Sequence, residues 1–172
     1  FDGEEYDARE PMGYECVDEL SIPEENTEFS GDILPSDGAE VYLRTDLALA
    51  PVRAYAWKNI EGAKENEFGK VIITREFTSG TEMSVSPGET LVVDFGQNCA
   101  GVPSFVFKAA EGTVLTCLPA ELLNDGNGAK IRGMDGPEGS CHRENLRIPH
   151  TGIRLDYTFA AGNNYVTYYP HC

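Results

Sequence analysis

Four carboxylates stand where acid–base chemistry could be built: Asp94, Glu121, Asp135 and Glu138. Cleaving a glycosidic bond needs one carboxyl group to protonate the leaving oxygen. A second must act as base or nucleophile across the bond. Spacing along the chain places no two of these four at the required separation. With 29 Asp and Glu in 172 residues, suggestive pairs arise by number alone. His142, His150 and His171 all lie in the last third, and no Gly-x-Ser-x-Gly elbow accompanies them. Each reads as a surface or strand-end residue. No His-x-x-x-His pair offers a metal face. Asp125 and Asn127 resemble the start of a calcium loop. Its twelfth position, however, is Gly136, where a bidentate Glu must close the oxygen shell. The run Asn124–Gly128 therefore reads as a tight turn. The residues themselves assign no catalytic group, no metal site and no cofactor.

Two further residue classes bear on binding. Trp57 is the only tryptophan, and Tyr165, Tyr168 and Tyr169 cluster near the end. Such rings stack on the apolar faces of sugars, although in a sheet protein they more often fill core or interface. Trp57 is the candidate carbohydrate contact. The five cysteines, Cys16, Cys99, Cys117, Cys141 and Cys172, include no Cys-x-x-Cys pair. They read as small buried hydrophobes, with a Cys99–Cys117 disulfide left open.

The elements that would position these residues are strands. Pro51–Trp57 alternates Val52, Ala54 and Ala56 against Arg53, Tyr55 and Trp57, which is strand periodicity. Lys70–Thr78 is rich in β-branched residues. Thr90–Phe95, Val102–Ala109, Thr113–Leu118, Arg143–Ile148, Ile153–Phe159 and Tyr165–Tyr169 continue the series, with a short candidate at Val41–Thr45. Ser86-Pro87-Gly88-Glu89 and Ala110-Glu111-Gly112 are turns, and the segment from Lys130 to Ser140 is irregular. Many short strands with frequent turn signals predict an all-β antiparallel sandwich of the jelly-roll or concanavalin-like kind. No stretch of 12 or more residues shows helical periodicity, and no repeat is present.

Charge divides the chain. Residues 1–40 hold 14 Asp/Glu against one base, Arg9, a net charge of −13. Residues 41–172 hold 15 acids and 12 bases, a net of −3. Residues 1–40 read as a loop-rich tail or linker of a preceding domain, on which Phe1, Tyr6, Tyr14 and Phe29 could serve as anchors. Residues 41–172 read as the sandwich. An acidic surface repels phosphate backbones and acidic lipid, so nucleic acid and membrane are not expected partners. No apolar run approaches the roughly 20 residues of a membrane helix.

The stretch Leu91–Gly101 adds a second kind of information. Asp94-Phe95-Gly96-Gln97-Asn98, with Gly101 following, resembles a phrase of the bacterial α-L-rhamnosidases of the inverting type. Further phrases follow in the family's order. They are Gly112–Thr116, Ala120-Glu121-Leu122-Leu123 with Asp125-Gly126-Asn127, Asn145-Leu146-Arg147, Tyr157–Gly162 and Tyr169-Pro170-His171. At the front, Gly3–Arg9 is similar to the end of the family's preceding domain. In that family these phrases lie in a β-sandwich ahead of the catalytic barrel. The chemistry belongs to carboxylates on that separate (α/α)6 barrel, whose long helices this chain lacks. Asp135-Gly136-Pro137-Glu138 echoes a barrel phrase, but Gly139-Ser140 stands where Arg-Asp is required.

The resemblance thus implies an accessory segment, inactive alone, that braces the barrel of an enzyme hydrolysing terminal α-L-rhamnose from plant glycans. Asp94, Gly96, Gln97, Asn98, Gly101 and Glu121 become signature residues of structural role. Gly96 and Gly101 would permit a sharp corner, and the Gln97 and Asn98 amides would satisfy the turn or an interdomain contact. The partners implied are the barrel and rhamnose-containing glycan, and the compartment is periplasmic or external. The family continues into a further strand past its Pro-x-Phe phrase. Without that strand an open edge could pair with a second chain. The alternatives are a stand-alone carbohydrate-binding module using Trp57, and a β-rich assembly domain using the open edge.

Overall fold

The computed structural model describes residues 4–10, 44–78, 80–99, 101, 103–144 and 154–167. It divides the chain into two compact units. One comprises residues 1–10 and 49–172, and the other residues 11–48. Of the second unit, the described part holds one 3-10 turn, Thr45–Leu47; the strand candidate Val41–Thr45 lies mostly outside the described residues.

The first unit is all-β. Its strands are β1 Glu4–Asp7, β2 Arg53–Glu61, β3 Lys70–Phe77, β4 Thr90–Asp94, β5 Ser104–Lys108, β6 Val114–Cys117, β7 Leu122–Leu123, β8 Cys141–His142, β9 Leu155–Thr158 and β10 Asn163–Thr167. They assort into sheets β3-β2-β4, β1-β9-β6, β10-β5 and β7-β8. Every pairing is antiparallel except β1 with β9.

The central strand β2 explains the first sheet. Ala54, Tyr55 and Ala56 are all buried, so β2 is covered on both faces and the simple one-sided alternation fails there. Tyr55 lies opposite Val92 of β4 and Glu76 of β3. Register slips on either side of Trp57, and Asn59 takes φ +70°. These are β-bulges, which bend the far half of β2. At the other end of the sheet the turns behave as their residues require. Glu89 N–H donates to Ser86 O at 3.0 Å, with Gly88 at φ +78°.

The second core gathers Leu155, Tyr157 and Phe159 of the β9 segment. Inward residues of the neighbouring strands, Phe105, Phe107, Leu115 and Cys117, pack against them. Phe107 and Tyr157 both meet Phe159 edge-on, at 5.8 and 5.0 Å between centroids. Strand β5 alternates strictly, its Phe105 and Phe107 half-buried between exposed neighbours.

Strand β1 departs from the sequence reading, which placed Glu4–Asp7 in a loop. Its register aligns Tyr6 with Tyr157, and the two rings stack at 5.3 Å. Thus Tyr6 anchors this segment, as its aromatic character suggested. Local composition hid the strand because its stabilising partner lies 151 positions away in the sequence. The strand candidate Arg143–Ile148 lies mostly outside the described residues. So do Phe1, Tyr14, Phe29, His150, His171, Cys16 and Cys172.

Candidate functional site

The signature corner forms where β4 ends. Asp94 O accepts the Val52 N–H at 2.8 Å, which ties the corner to the start of β2. Its side chain then folds forward, and Oδ1 accepts the Gly96 N–H at 2.7 Å. This is an Asx turn, the local structure that Asp and Asn favour because their short side chains mimic a backbone acceptor. The acceptor within the turn is therefore Asp94, while the Gln97 and Asn98 residues are exposed. Gly96 sits at φ +74°, and a Cβ there would lie 3.0 Å from Val52 Cγ2. Both restrictions favour glycine. Gly101 is different: its φ is not in the left-handed region, and among the described residues a Cβ would meet only Cys99 Sγ at 3.8 Å. The corner therefore depends on Gly96 more than on Gly101.

The other named residues fall elsewhere. Glu121 is exposed just ahead of β7. Trp57 is half-buried in the bulged part of β2, opposite Ile73 and Thr90, with its Nε1 buried and without a hydrogen-bond partner among the described residues. Only part of the ring is open to a sugar. Glu138 pairs with Lys70 at 2.9 Å. It lines a shallow, open depression of about 400 Å³ with Glu61, Glu67, Asn127 and Lys70. None of Asp94, Glu121 or Asp135 lines that depression, so the four sequence candidates do not converge on one cleft.

Among the described residues a densely bonded polar cluster is centred on Asn124, Asp135, Ser140 and His142, and sequence reading missed it. Asn124 is 2 % exposed. Its Nδ2 donates to Asp135 Oδ1 and to Ser140 Oγ, both at 2.9 Å, and its Oδ1 accepts the Asp135 N–H at 3.1 Å. Asp135 Oδ2 accepts the N–H groups of Arg143 and Glu144 at 2.7 and 2.8 Å. The Ser140 hydroxyl donates to Pro137 O at 2.7 Å. Burial opposes ionisation of Asp135. The Arg143 N–H, the Asn124 amide, the nearby His142 and the Glu144 N–H outweigh it and hold the pKa at about 2. His142 is 2 % exposed, so it is a core residue and not a surface one. Its Nδ1 approaches Asp135 Oδ1 at 3.0 Å but is poorly aligned, and its Nε2 has no partner among the described residues.

This cluster fastens an irregular loop to the first sheet. Tyr55 donates its hydroxyl to Gly139 O at 2.6 Å, and the Val71 N–H donates to Glu138 O at 3.0 Å. Gly136 leaves the room the cluster needs, since a Cβ there would lie 2.8 Å from Ser140 Oγ. Asp135 therefore works as a multiple acceptor that shapes a loop. A carboxylate saturated in this way, with its pKa held low, is poorly suited to deliver a proton near neutral pH. The Asn124–Gly128 turn has the backbone its residues suggest, with Asn127 at φ +52° and Gly128 at φ +75°. Among the described residues no group of three or more His, Cys, Asp or Glu could hold a metal ion. Cys99, Cys117 and Cys141 are free thiols, Cys99 exposed and the other two half-buried, so Cys99 and Cys117 are not joined.

The family model of the bacterial alpha-L-rhamnosidase concanavalin-like domain matches residues 83–172, which is 90 of the 172 residues. No curated protein and no solved structure matches the chain.

Proposed function

The chain belongs to the bacterial alpha-L-rhamnosidase concanavalin-like domain family, and from this premise we propose that it braces the catalytic barrel of a multidomain α-L-rhamnosidase. The family is a non-catalytic β-sandwich region, and its accessory place in such an enzyme agrees with the all-β architecture. The observation that carries the reading is the match over residues 83–172, which begins ahead of β4 and includes the signature corner. The geometry supports it. Asp94 is engaged as a turn acceptor and Asp135 as a loop acceptor.

The substrate of the enzyme is terminal α-L-rhamnose on plant glycans or glycosides, and its chemistry lies on the separate (α/α)6 barrel. The contribution of this chain is mechanical: a rigid, many-stranded support for the barrel and for the rim of its cleft. The enzyme works in the periplasm or outside the cell. The test is thermal denaturation of a separately expressed α-L-rhamnosidase barrel with and without this chain. Bracing predicts a saturable rise in the barrel's Tm as the chain is added. An unchanged Tm at excess chain, with no heat of mixing by calorimetry, would refute it.

A further inference from the structure

The chain holds one Asn-Gly pair, Asn127-Gly128. It fills the two central positions of a tight turn, closed where the Ala129 N–H donates to Gly126 O at 3.0 Å. With φ +52° and +75°, both residues take the left-handed backbone of a type I′ turn. Asn127 is exposed, and its side-chain amide has no hydrogen-bond partner among the described residues. The peptide unit joining it to Gly128 is equally unengaged: neither Asn127 O nor the Gly128 N–H is bonded among those residues. That plane can therefore rotate without breaking a hydrogen bond. Glycine also leaves the nitrogen open to attack, because no Cβ shields it. Asn124, three positions earlier, has the opposite setting. It is 2 % exposed, its amide is bonded at both ends, and Asp125 follows it.

We propose that Asn127 is a site of spontaneous deamidation in the folded chain, with water as the co-reactant. The Gly128 nitrogen gives up its proton to solvent base and attacks Asn127 Cγ. The Cγ–Nδ2 bond breaks, and Nδ2 leaves as ammonia with a proton from solvent. Water then adds to one of the two carbonyls of the cyclic imide. Breaking the bond from the Gly128 nitrogen to Cγ gives aspartyl. Breaking its bond to the main-chain carbonyl carbon gives isoaspartyl. One water is consumed, one ammonia is released, and no oxidant or reductant takes part. The new carboxylate falls in a charged setting. Asn127 lines the open depression with Glu61, Glu67, Lys70 and Glu138, where carboxylates already outnumber the one ammonium. The isoaspartyl product also lengthens the main chain by one carbon just ahead of Gly128. Gly128 O accepts the Phe68 and Gly69 N–H groups at 2.5 and 3.3 Å, and a Cβ on Gly128 would lie 2.5 Å from Gly69 O. The modification therefore acts where this turn is fastened to the start of β3.

The test incubates the full, folded chain at neutral and at mildly alkaline pH and maps its peptides by mass spectrometry at intervals. The expected result is loss of the Asn127 amide before any other asparagine is measurably converted, faster at the higher pH. The products should be a mixture of aspartyl and isoaspartyl at position 127, the latter a methyl acceptor for an isoaspartyl-specific methyltransferase. Asn127→Gln, whose longer side chain closes the smaller ring poorly, should take up no methyl groups at this position. Purified by ion exchange, the isoaspartyl form should melt below Asn127→Asp, which carries the same charge on an unaltered backbone. An Asn127 that keeps its amide in the folded chain while the urea-denatured chain loses it would overturn the proposal. So would earlier conversion at another asparagine, or aspartyl alone with no isoaspartyl, which excludes the cyclic imide. An isoaspartyl form as stable as Asn127→Asp would overturn the role given to the Gly128 backbone.

Discussion

Replacing Asp135 by Asn should separate the polar cluster's contribution from the rest of the unit by its pH dependence. In the folded protein Asp135 is lowered from 3.8 to about 2, despite burial, because N–H donors of Arg143, Asn124 and Glu144 and the nearby His142 favour the carboxylate. A depressed carboxyl pKa stabilises the fold above the unfolded value near 3.8. That stability is lost as pH falls through the folded value near 2. The shift alone corresponds to about 2 kcal/mol, and the side chain's 26 % exposure reduces it toward about 1–2 kcal/mol through solvent screening. In Asp135→Asn one amide oxygen still accepts the two backbone N–H groups. Its NH2, however, must face the Asn124 NH2 at the present 2.9 Å contact. The full cost near pH 7 is therefore about 2–3 kcal/mol.

The assay is urea denaturation of wild type and variant at intervals from pH 7 to pH 2. The gap between the two should be constant down to about pH 4 and then narrow by about 1–2 kcal/mol as pH approaches 2. Asp7, Asp46, Asp156 and Glu89 are also lowered, so both proteins lose stability in acid, and only the difference reports on Asp135. A gap that stays constant through pH 2 would refute the assignment of Asp135 as an ionised multiple acceptor.

Other substitutions test neighbouring parts of the account. Asn124→Ala should cost about 2–4 kcal/mol by thermal or urea denaturation, because it strips a buried side chain of its bonds to Asp135 and Ser140. Gly96→Ala should cost about 1–2 kcal/mol; adding Val52→Ala should recover the steric part but not the part due to φ +74°. Tyr55→Phe should lose about 1 kcal/mol with its bond to Gly139 O, and far-ultraviolet circular dichroism should be unchanged. Calorimetric titration of the chain with rhamnose should give no saturable heat that Trp57→Ala removes, since the indole is half-buried in β2.

Much of the sheet structure was legible because it is written locally. The Thr90–Phe95 run, the Ser86–Glu89 turn and the alternating Phe105 and Phe107 each carry their own signal in residue type and period. The corner at Asp94 was legible as a turn with a structural carboxylate, but the bond from the Gly96 N–H to Asp94 Oδ1 was not. What escaped was set by partners distant in sequence. Asn124, Asp135 and His142 form one cluster only because an irregular loop folds back on the β7–β8 pair. Strands of two residues have no period to detect. Strand β1 depends on Tyr157, and burial of both faces of β2 depends on the loop that receives the Tyr55 hydroxyl. Carboxylate type alone could not distinguish Asp135, a loop acceptor, from a catalytic acid.

The central claim is that this chain supports catalysis without performing it. Its most direct test is hydrolysis of an aryl α-L-rhamnoside by the purified chain at pH 5–7, followed by release of the chromophore. The account predicts no turnover above the buffer blank. Saturable turnover that is abolished by Glu121→Gln or Asp94→Asn would contradict it.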